Sequence, residues 1–279
     1  MKSTLLLLLG KLPPNIQGRL RVAFYNFLIM LKPNPSDAKF SIQSAGGGVW
    51  LLSRGSESLY IAIPNRVGFY KEGIGARLDA LQSAFGVEKF NLSPGDFVVD
   101  IGTNIGEFSL PILCNGAEVA LFEMDPNVIE ALKKNVSGYD KARIYNFGLW
   151  NETKQISMFV KSGSADTSLI DNGATERHDI PCFRLDDVGA LNNVSAIKLL
   201  KCDAEGAEPE VLQGAVNVLK RTQFVSIDCG PERGREGERT LDEVKELLVG
   251  AGFRILQERY GNREILIAEN SRYACDNVS

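Results

Sequence analysis

Short apolar runs, several of which end in an acid, alternate with segments of helical periodicity through the centre of this chain. Runs that are apolar along their whole length are typical of parallel strands covered by helices on both faces. Five such runs predict the parallel strands of an α/β sheet, at 97–99, 118–123, 142–147, 197–202 and 224–227. Two further runs, 253–257 and 264–268, flank Gly261-Asn262 and predict an antiparallel hairpin that closes the sheet.

The part of the chain before this alternation has a different pattern. It predicts an amphipathic helix at 16–31, followed by a linker rich in Pro, Ser and Gly at 33–47. Two short strands at 49–53 and 59–63 and a second helix at 76–86 come next. We therefore predict an N-terminal helical and β extension over residues 1–70 and a main domain over residues 71–279.

Capping signals locate further helices of the main domain. Asp125-Pro126 predicts a helix start, because Asp caps the first N–H groups and Pro suits the first helical position. Thr240 and Glu243 form a capping box. Two further helices are predicted at 209–219 and 240–249. The alternating pattern is interrupted at 151–190, where a strand is predicted at 156–160 and a polar stretch follows at 161–179.

Composition narrows the class of protein. The chain has 279 residues, of which 44% are hydrophobic and 24% are charged, as in ordinary globular domains. A formal net charge of −4 argues against a nucleic-acid-binding protein. The five cysteines form no C-x-x-C pair and have no metal-ligand spacing. This usage favours a reducing compartment and predicts a cytoplasmic protein, in which Cys202 and Cys229 are core residues.

A run of five leucines, 5–9, follows Lys2 and is similar to the start of a signal peptide. The run is too short for the apolar region of such a peptide, Lys11 ends it, and no small-residue cleavage site follows. It is also too short to cross a bilayer. We therefore predict neither a cleaved signal nor a membrane span here.

The predicted helix over 16–31 lies in a positively charged part of the chain. The first forty residues hold six basic residues and one acid, Asp37. Aromatic-rich amphipathic faces usually pack in a core, so we favour packing on the main domain or on a second subunit, as in a homo-oligomer. The alternative is a peripheral membrane contact, which would make the protein membrane-associated.

The segment 97–106, FVVDIGTNIG, has the order of a strand, a tight glycine turn and a helix start. In dinucleotide sites this turn carries G-x-G-x-x-G, so that the main chain can approach a pyrophosphate. Here Asn104 replaces the second glycine, between Gly102 and Gly106, and Asp100 precedes them. A carboxylate at that point would repel a phosphate and attract an ammonium group. The loop therefore favours S-adenosylmethionine, which has an α-amino group and no phosphate, over NAD.

Glu123 ends the second strand about twenty residues after Asp100, where α/β nucleotide sites place the carboxylate that binds the ribose hydroxyls. The simpler explanation is that both acids cap strand ends, but two acids at consecutive strand ends around this loop favour a cofactor site. An NAD(P)-dependent oxidoreductase is one alternative, which the missing glycine and the absence of a Tyr-x-x-x-Lys pair oppose. A non-catalytic module that binds the cofactor is the other.

Three segments resemble motifs of a known enzyme family. Residues 198–214 are KLLKCDAEGAEPEVLQG, and they resemble the hallmark of the FkbM-type methyltransferases, lKiDvEGaE-x-x-vL-x-G. The segment FRLDDV at 183–188 and the loop at 97–106 resemble two other motifs of that family, in the same order and spacing. The chain departs from the pattern at Cys202, which replaces an aliphatic residue, and at Arg184, which precedes the LDD.

The resemblance covers about residues 70–270 and implies a class I methyltransferase fold, with a Rossmann-like, mostly parallel sheet. It implies methyl transfer from S-adenosylmethionine to a hydroxyl of a sugar, glycan or related natural product, and it puts Asp203 near the methionine end of the cofactor. Tyr70 and Glu72 precede the sheet and are expected to close over the methionine portion or to anchor that segment. The other predicted cofactor-binding residues are Asp100, Gly102, Thr103, Asn104, Gly106, Glu123, Asp125 and Asp203.

Asp203 and Asp228 end neighbouring predicted strands and resemble the paired acids of catechol-type, metal-dependent O-methyltransferases. In those enzymes a magnesium ion orients the acceptor hydroxyl and lowers its pKa. We therefore predict Mg²⁺ or another divalent metal on this pair; the alternative is that either aspartate acts as a general base. His178, the sole histidine, is a third candidate for the base, although a lone loop histidine is more often incidental.

Other charged residues near these strand ends carry weaker predictions. Glu208 and Glu210 are expected to stabilise a helix N-terminus, and the role of Glu205 stays open. Glu232 and Arg233 lie in a charged loop that is either solvated or part of acceptor recognition. The identity of the acceptor is expected to depend on residues 1–70, 151–190 and 230–240.

Overall fold

A computed structural model describes residues 12–31, 39–161, 167–258 and 263–274. Its strands are β1 (Phe40–Ser44), β2 (Trp50–Arg54), β3 (Glu57–Ile61), β4 (Phe97–Ile101), β5 (Glu118–Phe122), β6 (Ala142–Tyr145), β7 (Gly148–Leu149), β8 (Lys154–Val160), β9 (Thr167–Ser168), β10 (Glu176–Phe183), β11 (Ile197–Cys202), β12 (Thr222–Asp228), β13 (Pro231–Arg233), β14 (Glu238–Arg239), β15 (Phe253–Gln257) and β16 (Ile265–Asn270). Its helices are α1 (Pro14–Leu31), α2 (Ile74–Ala84), α3 (Ser109–Cys114), α4 (Pro126–Val136), α5 (Glu208–Gln213), α6 (Val216–Leu219), α7 (Leu241–Gly250) and α8 (Ser271–Ala274). Short 3₁₀ turns lie at Pro64–Tyr70, Val87–Lys89, Leu185–Asp187 and Gly189–Leu191.

The central sheet has seven strands in the order β15-β16-β12-β11-β4-β5-β6. The five strands from β12 to β6 are parallel, β16 is antiparallel to β12, and β15 is antiparallel to β16. The predicted α/β sheet, mostly parallel with an antiparallel C-terminal hairpin, is confirmed. The turn residues predicted for this hairpin, Gly261-Asn262, lie outside the described residues.

Both faces of the parallel strands are buried, which explains why their sequences are apolar without alternation. On β4, Val98 belongs to one hydrophobic core and Val99 to a second core on the other face. Leu199 and Leu200 of β11 divide between the same two cores. Since the sheet is sealed on both faces, a ligand can reach its strands at their ends.

The N-terminal extension packs on one face of this sheet. β1, β2 and β3 form an antiparallel sheet, and their Phe40, Leu52 and Leu59 lie in the same buried core as Val98. Helix α1 packs against the 3₁₀ turn Pro64–Tyr70. The predicted N-terminal helix is therefore present and packs on the domain. The division of the chain at residue 70 stays a prediction.

Strand β1 corrects the linker predicted over 33–47. The prolines and glycines of that segment are strong turn signals, but the run FSIQS between them pairs with β2 and buries Phe40. The run is too short for its alternation to stand out against its neighbours. The structure does not describe residues 32–38.

Two helix predictions also differ from the structure. The helix predicted over 209–219 is two helices, because at Gly214 a side chain would overlap the carbonyl oxygen of Trp150, which crosses there. The capping box at Thr240 does not form; the Thr240 hydroxyl instead donates a hydrogen bond to the carboxylate of Glu208. Both differences come from contacts with segments distant in sequence.

The interruption at 151–190 forms a second, smaller sheet in the order β7-β10-β8-β9. Strand β8 extends the strand predicted at 156–160, and β10 begins inside the stretch expected to be irregular. The short strand β9 brings Thr167 and Ser168 into the buried interior, beside the ends of the central strands. This sheet therefore forms part of the wall of the candidate site.

Candidate active site

A cavity of about 610 Å³ lies at the carboxyl ends of β4, β5 and β11. This is the edge of an open α/β sheet at which ligands bind, and the volume suits a small molecule. The sequence-predicted residues that line the cavity are Gly102, Thr103, Asn104, Glu123 and Asp203. Asp100, Gly106, Asp125, Asp228, Tyr70, Glu72 and His178 do not line it.

The glycine loop approaches β11 so closely that a side chain at its first glycine is excluded. Gly102 has φ +68°, and a Cβ there would overlap the carbonyl oxygen of Asp203. Asn104 is also left-handed, at φ 52°, and its side-chain oxygen accepts a hydrogen bond from the Ile105 N–H. Asparagine tolerates this conformation because its short polar side chain bonds locally. The loop therefore keeps the turn of a cofactor site without the second glycine.

Asp100 lies beneath the loop and is fully buried. One of its carboxylate oxygens accepts hydrogen bonds from the hydroxyls of Thr103, at 2.7 Å, and Ser109, at 2.6 Å. The other oxygen lies 3.0 Å from the Lys201 Nζ. The prediction that this carboxylate meets the cofactor ammonium does not match its position. Its bonds instead hold the loop and the start of α3 onto the sheet.

Lys201 is the buried counter-ion that the sequence analysis did not identify. Its Nζ also donates to the carbonyl oxygens of Ile101, at 3.1 Å, and Gly102, at 2.9 Å. Burial alone would lower the pKa of this amine, but the carboxylates of Asp100 and Asp203 outweigh that effect and raise it. The signal in the sequence was the pair of lysines, Lys198 and Lys201, in a predicted buried strand, because a buried ammonium requires a partner.

Glu123 lines the cavity, and its carboxylate is fixed by the main chain. One oxygen accepts the Asn104 N–H and the other accepts the Asp125 N–H, each at 2.8 Å. Burial raises the pKa of Glu123 to about 7. Each oxygen keeps a second lone pair, so the carboxylate can accept the two hydroxyls of a ribose.

Asp125 has a structural role below the cavity. Its carboxylate accepts the Asn127 N–H at 2.8 Å, so the predicted helix cap is confirmed, and its other oxygen accepts the Thr167 hydroxyl at 2.9 Å. Gly106 faces the side chain of Leu132 on α4, at 3.0 Å from where a Cβ would lie. These two residues shape the loop and its helix without lining the cavity.

Three carboxylates gather in another part of the cavity wall. Oxygens of Asp203, Glu205 and Glu232 all lie within 4.8 Å of one another. Asp203 ends β11, Glu205 takes a left-handed conformation at φ 51° in the following turn, and Glu232 lies on β13. One buried oxygen of Asp203 has no hydrogen-bond donor within the described ranges, so it is available to a ligand.

Arg263 joins this group to Asp228. Its guanidinium forms an ion pair with Asp228 and lies 3.5 Å from a carboxylate oxygen of Asp203. Burial and the Asp203 carboxylate raise the pKa of Asp228 to about 6. Burial and the carboxylates of Asp203 and Asp228 raise the pKa of Glu232 to about 8. The site therefore concentrates acidic groups, and Arg263 and Lys201 supply positive charge beside Asp203.

The metal prediction changes with this arrangement. A divalent ion bridging Asp203 and Asp228 does not fit, because the Arg263 guanidinium, a cation, contacts both carboxylates. Within the part of the chain that the structure describes, the three acids that approach one another closely enough to share an ion are Asp203, Glu205 and Glu232. Arg263 was missed because it lies 35 residues beyond Asp228, and no local pattern links the two.

The remaining predicted residues lie away from the cavity. His178 is exposed on β10 and pairs with Glu176 at 3.2 Å, so its ring does not face the carboxylates. Glu72 is exposed beside Lys71, at 3.9 Å. Tyr70 is buried, and burial and the Glu107 carboxylate raise its pKa well above the ordinary value. Tyr70 therefore matches the anchoring alternative.

Two acids of the DAEGAE turn hold the loop. Glu208 is buried and accepts the N–H groups of Ala204, at 2.9 Å, and Gly206, at 3.0 Å. The carboxylate of Glu210 accepts hydrogen bonds from both terminal nitrogens of Arg233, at 2.6 and 2.9 Å. The structural role expected for the two glutamates is confirmed, although their partners are a turn and an arginine. Arg233 is thus tied to α5 and is not a solvated loop residue.

An aromatic ring with two cationic neighbours lies at the rim of the cavity. Phe69, in the 3₁₀ turn Pro64–Tyr70, is 55% exposed. The guanidiniums of Arg66 and Arg77 lie over its ring, at 4.9 and 5.0 Å from the centroid. All three line the cavity. The sequence analysis did not single them out, since their proximity depends on packing between the turn and α2.

These features fit S-adenosylmethionine. Glu123 suits the ribose hydroxyls, and the carboxylates grouped around Asp203 suit the cationic methionine end. The side chains of Met124, Leu149 and Val211 give the cavity apolar wall for an adenine. Sheet order, glycine loop and ribose carboxylate together define a class I methyltransferase that uses S-adenosylmethionine.

Comparison with known proteins gives the family. Residues 100–255 match the family model described as the methyltransferase FkbM domain. Because this match spans more than half of the chain, the protein belongs to the FkbM methyltransferase family. It is an S-adenosylmethionine-dependent methyltransferase, as the motifs at 97–106, 183–188 and 198–214 predicted.

Two curated relatives share much of the chain. The 2-O-methyltransferase NoeI of Sinorhizobium fredii is 23% identical over 211 residues, covering 69% of this chain and 87% of that protein. The 31-O-demethyl-FK506 methyltransferase FkbM of Streptomyces tacrolimicus is 29% identical over 202 residues, covering 60% and 76%. A solved structure of magnesium protoporphyrin IX methyltransferase from Synechocystis, with bound SAM, aligns over 74% of this chain and 81% of that chain, at 15% identity and a TM-score of 0.42.

Proposed function

We propose that this enzyme methylates a hydroxyl group on a sugar, glycan or related natural product. The observation that carries the proposal is a single cavity lined by both Glu123, suited to a ribose, and Asp203, one of whose carboxylate oxygens has no hydrogen-bond donor within the described residues. An O-methylation needs both a donor site and a group that removes the hydroxyl proton. The names of the two curated relatives, which describe a 2-O- and a 31-O-methyltransferase, support the same chemistry.

In the proposed reaction the chain's residues orient the acceptor and receive its proton. Bound S-adenosylmethionine would supply the methyl group from its sulfonium, whose bond to the methyl carbon breaks to leave a neutral thioether. Asp203 accepts the proton as the acceptor oxygen forms its bond to carbon. Arg263 holds Asp203 and Asp228 in position through its ion pairs. Much of the rate is expected from alignment, since fixing two reactants supplies a large share of the barrier reduction.

The rim supports a carbohydrate-like acceptor. The half-exposed side chain of Phe69, with the guanidiniums of Arg66 and Arg77 over its ring, combines apolar ring carbons with hydrogen-bond donors. A sugar has the complementary combination of C–H faces and hydroxyls. We expect Phe69→Ala to raise the KM for the acceptor while leaving the affinity for S-adenosylmethionine unchanged.

A methyl-transfer assay against a panel of nucleotide sugars and glycosides tests the proposal. Asp203→Asn should reduce kcat by about 10²–10⁴ if the carboxylate accepts the proton. Asp187→Asn, an exposed acid that does not line the cavity, is the matched control. Absence of methyl transfer to every hydroxyl acceptor, in protein that binds S-adenosylmethionine, would contradict the proposal.

Dialysis against EDTA separates the two roles of the carboxylates. Loss of activity that Mg²⁺ restores would assign Asp203, Glu205 and Glu232 to a divalent ion. Unchanged activity would assign them to proton transfer and electrostatics. The affinity for S-adenosylmethionine, measured in the same samples by calorimetry, shows whether the treatment damaged the donor site.

A further inference from the structure

Helix α1 is held on the domain with a fixed orientation. At Gly18 a side chain would overlap Pro64, so the helix axis lies directly against the turn that follows β3. The side-chain amide of Asn26 donates to the Phe40 carbonyl oxygen and accepts the Phe40 N–H, each at 2.8 Å. Val22 is buried in the core below. These contacts determine which face of α1 points outward.

The outward face of α1 is apolar. Eight of the twelve large hydrophobic residues that are exposed in the described part of the chain lie between Leu12 and Leu31. Four of them, near the end of the helix, are more than half exposed: Phe24, Phe27, Met30 and Leu31. A helix that is apolar on both its inward and outward faces is normally covered on both. A contiguous exposed patch of this kind marks a contact with a partner or a lipid surface.

The charge of the N-terminal part of the chain indicates what covers this face. The first 39 residues hold six basic residues and one acid, whereas the whole chain holds 31 basic and 35 acidic residues. The charged residues of α1 itself are Arg19 and Arg21. Basic residues beside an apolar helix face favour an anionic lipid surface, which attracts the charges while the apolar side chains enter the boundary of the acyl chains.

A second copy of the chain fits this face less well. In a two-fold dimer the same patch meets itself, so two N-terminal segments, each with six basic residues and one acid, would be brought together. A lipid surface has no such repulsion. The five leucines at 5–9 precede the helix in sequence and add apolar residues to this part of the chain. No helix among the described residues is long and apolar enough to cross a membrane.

The position of α1 connects this surface to the active site. The helix packs on the turn Pro64–Tyr70, and the guanidinium of Arg21 and the hydroxyl of Tyr25 lie close against Gly68. The next residue, Phe69, lines the cavity rim together with Arg66. A surface that contacts α1 is therefore one short turn away from the rim.

We propose that α1 lies on an anionic membrane surface and that the acceptor is a hydroxyl-bearing compound anchored in that membrane. The choice of acceptor rests on the proposed function. A soluble acceptor would diffuse to the cavity from any direction, whereas a lipid-anchored one is concentrated at the surface that α1 contacts. The substrate class is thus a lipid-linked sugar or glycan with a free hydroxyl.

Vesicle flotation of the full chain tests the membrane contact. We expect binding to phosphatidylcholine vesicles that contain phosphatidylglycerol, weaker binding to phosphatidylcholine alone, and loss of the difference at high salt. The double variant Phe24→Glu with Phe27→Glu should lower the partition coefficient by more than about a hundredfold, since each lost phenylalanine contact accounts for at least about tenfold. Val249→Glu, an exposed apolar position on α7, is the matched control and should bind normally.

Two results would overturn the membrane contact. One is wild-type protein that stays unbound at every vesicle composition, whether it is a monomer or a dimer by sedimentation. The other is a double variant that binds as well as the wild type. A dimer that the double variant dissociates would assign the outward face of α1 to a second copy.

A paired activity assay tests the acceptor and keeps it distinct from the proposed function. Methyl transfer is measured to a soluble glycoside and to the same glycoside attached to a lipid in vesicles. We expect the lipid-linked form to be preferred by wild-type protein and the preference to disappear in the double variant. Equal rates on both forms would overturn the substrate class alone. Absence of transfer to either form, with vesicle binding intact, would contradict the proposed function instead.

Discussion

Replacing Asp100 by asparagine tests whether this residue acts on the fold or on the cofactor. The two hydroxyl bonds from Thr103 and Ser109 both end on one carboxylate oxygen, and an amide oxygen can replace it. The other oxygen faces the Lys201 ammonium, and in Asp100→Asn an NH₂ group takes its place. The lysine then keeps two carbonyl partners but has lost its buried counter-ion.

The size of the effect follows from the burial of the pair. Both side chains are almost fully buried, with exposed fractions of 3% for Lys201 and 0% for Asp100. Breaking such a pair from one side costs about 3–5 kcal/mol, a large part of a typical domain stability of about 5–15 kcal/mol. The double variant Asp100→Asn with Lys201→Met removes both charges, so it should cost less than the sum of the singles by about 1–3 kcal/mol.

Urea unfolding followed by circular dichroism measures these free energies, and calorimetry at low temperature measures the affinity of the folded protein for S-adenosylmethionine. Glu118→Gln breaks the half-exposed pair with Arg143 and serves as the control, with an expected cost of about 0–1 kcal/mol. Additive costs in the double variant would show that the pair does not interact. Full stability of Asp100→Asn together with lost affinity would refute our reasoning and return Asp100 to direct cofactor binding.

Three further predictions concern the cavity. Because the raised pKa of Glu123 leaves it neutral below about 7 and ionised above, the affinity for S-adenosylmethionine should rise as the pH increases through about 7, and calorimetry on Glu123→Gln should show that this step is lost. Gly102→Ala should lose both stability and cofactor affinity, whereas Gly95→Ala, at a similar positive φ in open space, should show only the backbone cost of about 1–2 kcal/mol in urea unfolding. Arg263→Gln removes a cation that lowers the pKa of Asp228, so this carboxyl should titrate at a higher pH, as NMR of the carboxyl carbon measures; Arg254→Gln on the same hairpin should leave the titration in place.

Much of the fold was predictable because the parallel strands are buried on both faces. An apolar run such as 197–202 is typical of a buried parallel strand, and the acid that follows it, Asp203, marks the edge of the sheet. Strand β1 was not predictable in the same way. Its five residues lie among prolines and glycines, and only Phe40 is buried. Its pairing with β2 depends on the core that Leu52 and Leu59 complete.

The residues of the candidate site were predictable where their role depends on neighbours that are close in sequence. Gly102, Asn104 and Glu123 follow from the loop and from the next strand end, and all three line the cavity. Asp203 was located by the family motif. The sequence could not separate a carboxylate that faces the cavity from one that faces the core, as the contrast between Glu123 and Asp100 shows.

The sequence by itself determined the sheet, the glycine loop, the methyl donor and the enzyme family, since each depends on residues close together in the chain. Only the tertiary structure decided that Asp100 pairs with Lys201, that Arg263 lies between two aspartates, and that α1 keeps an apolar outward face. Those contacts join residues far apart in sequence. They depend on electrostatic pairing and packing between elements, for which the chain carries no local pattern.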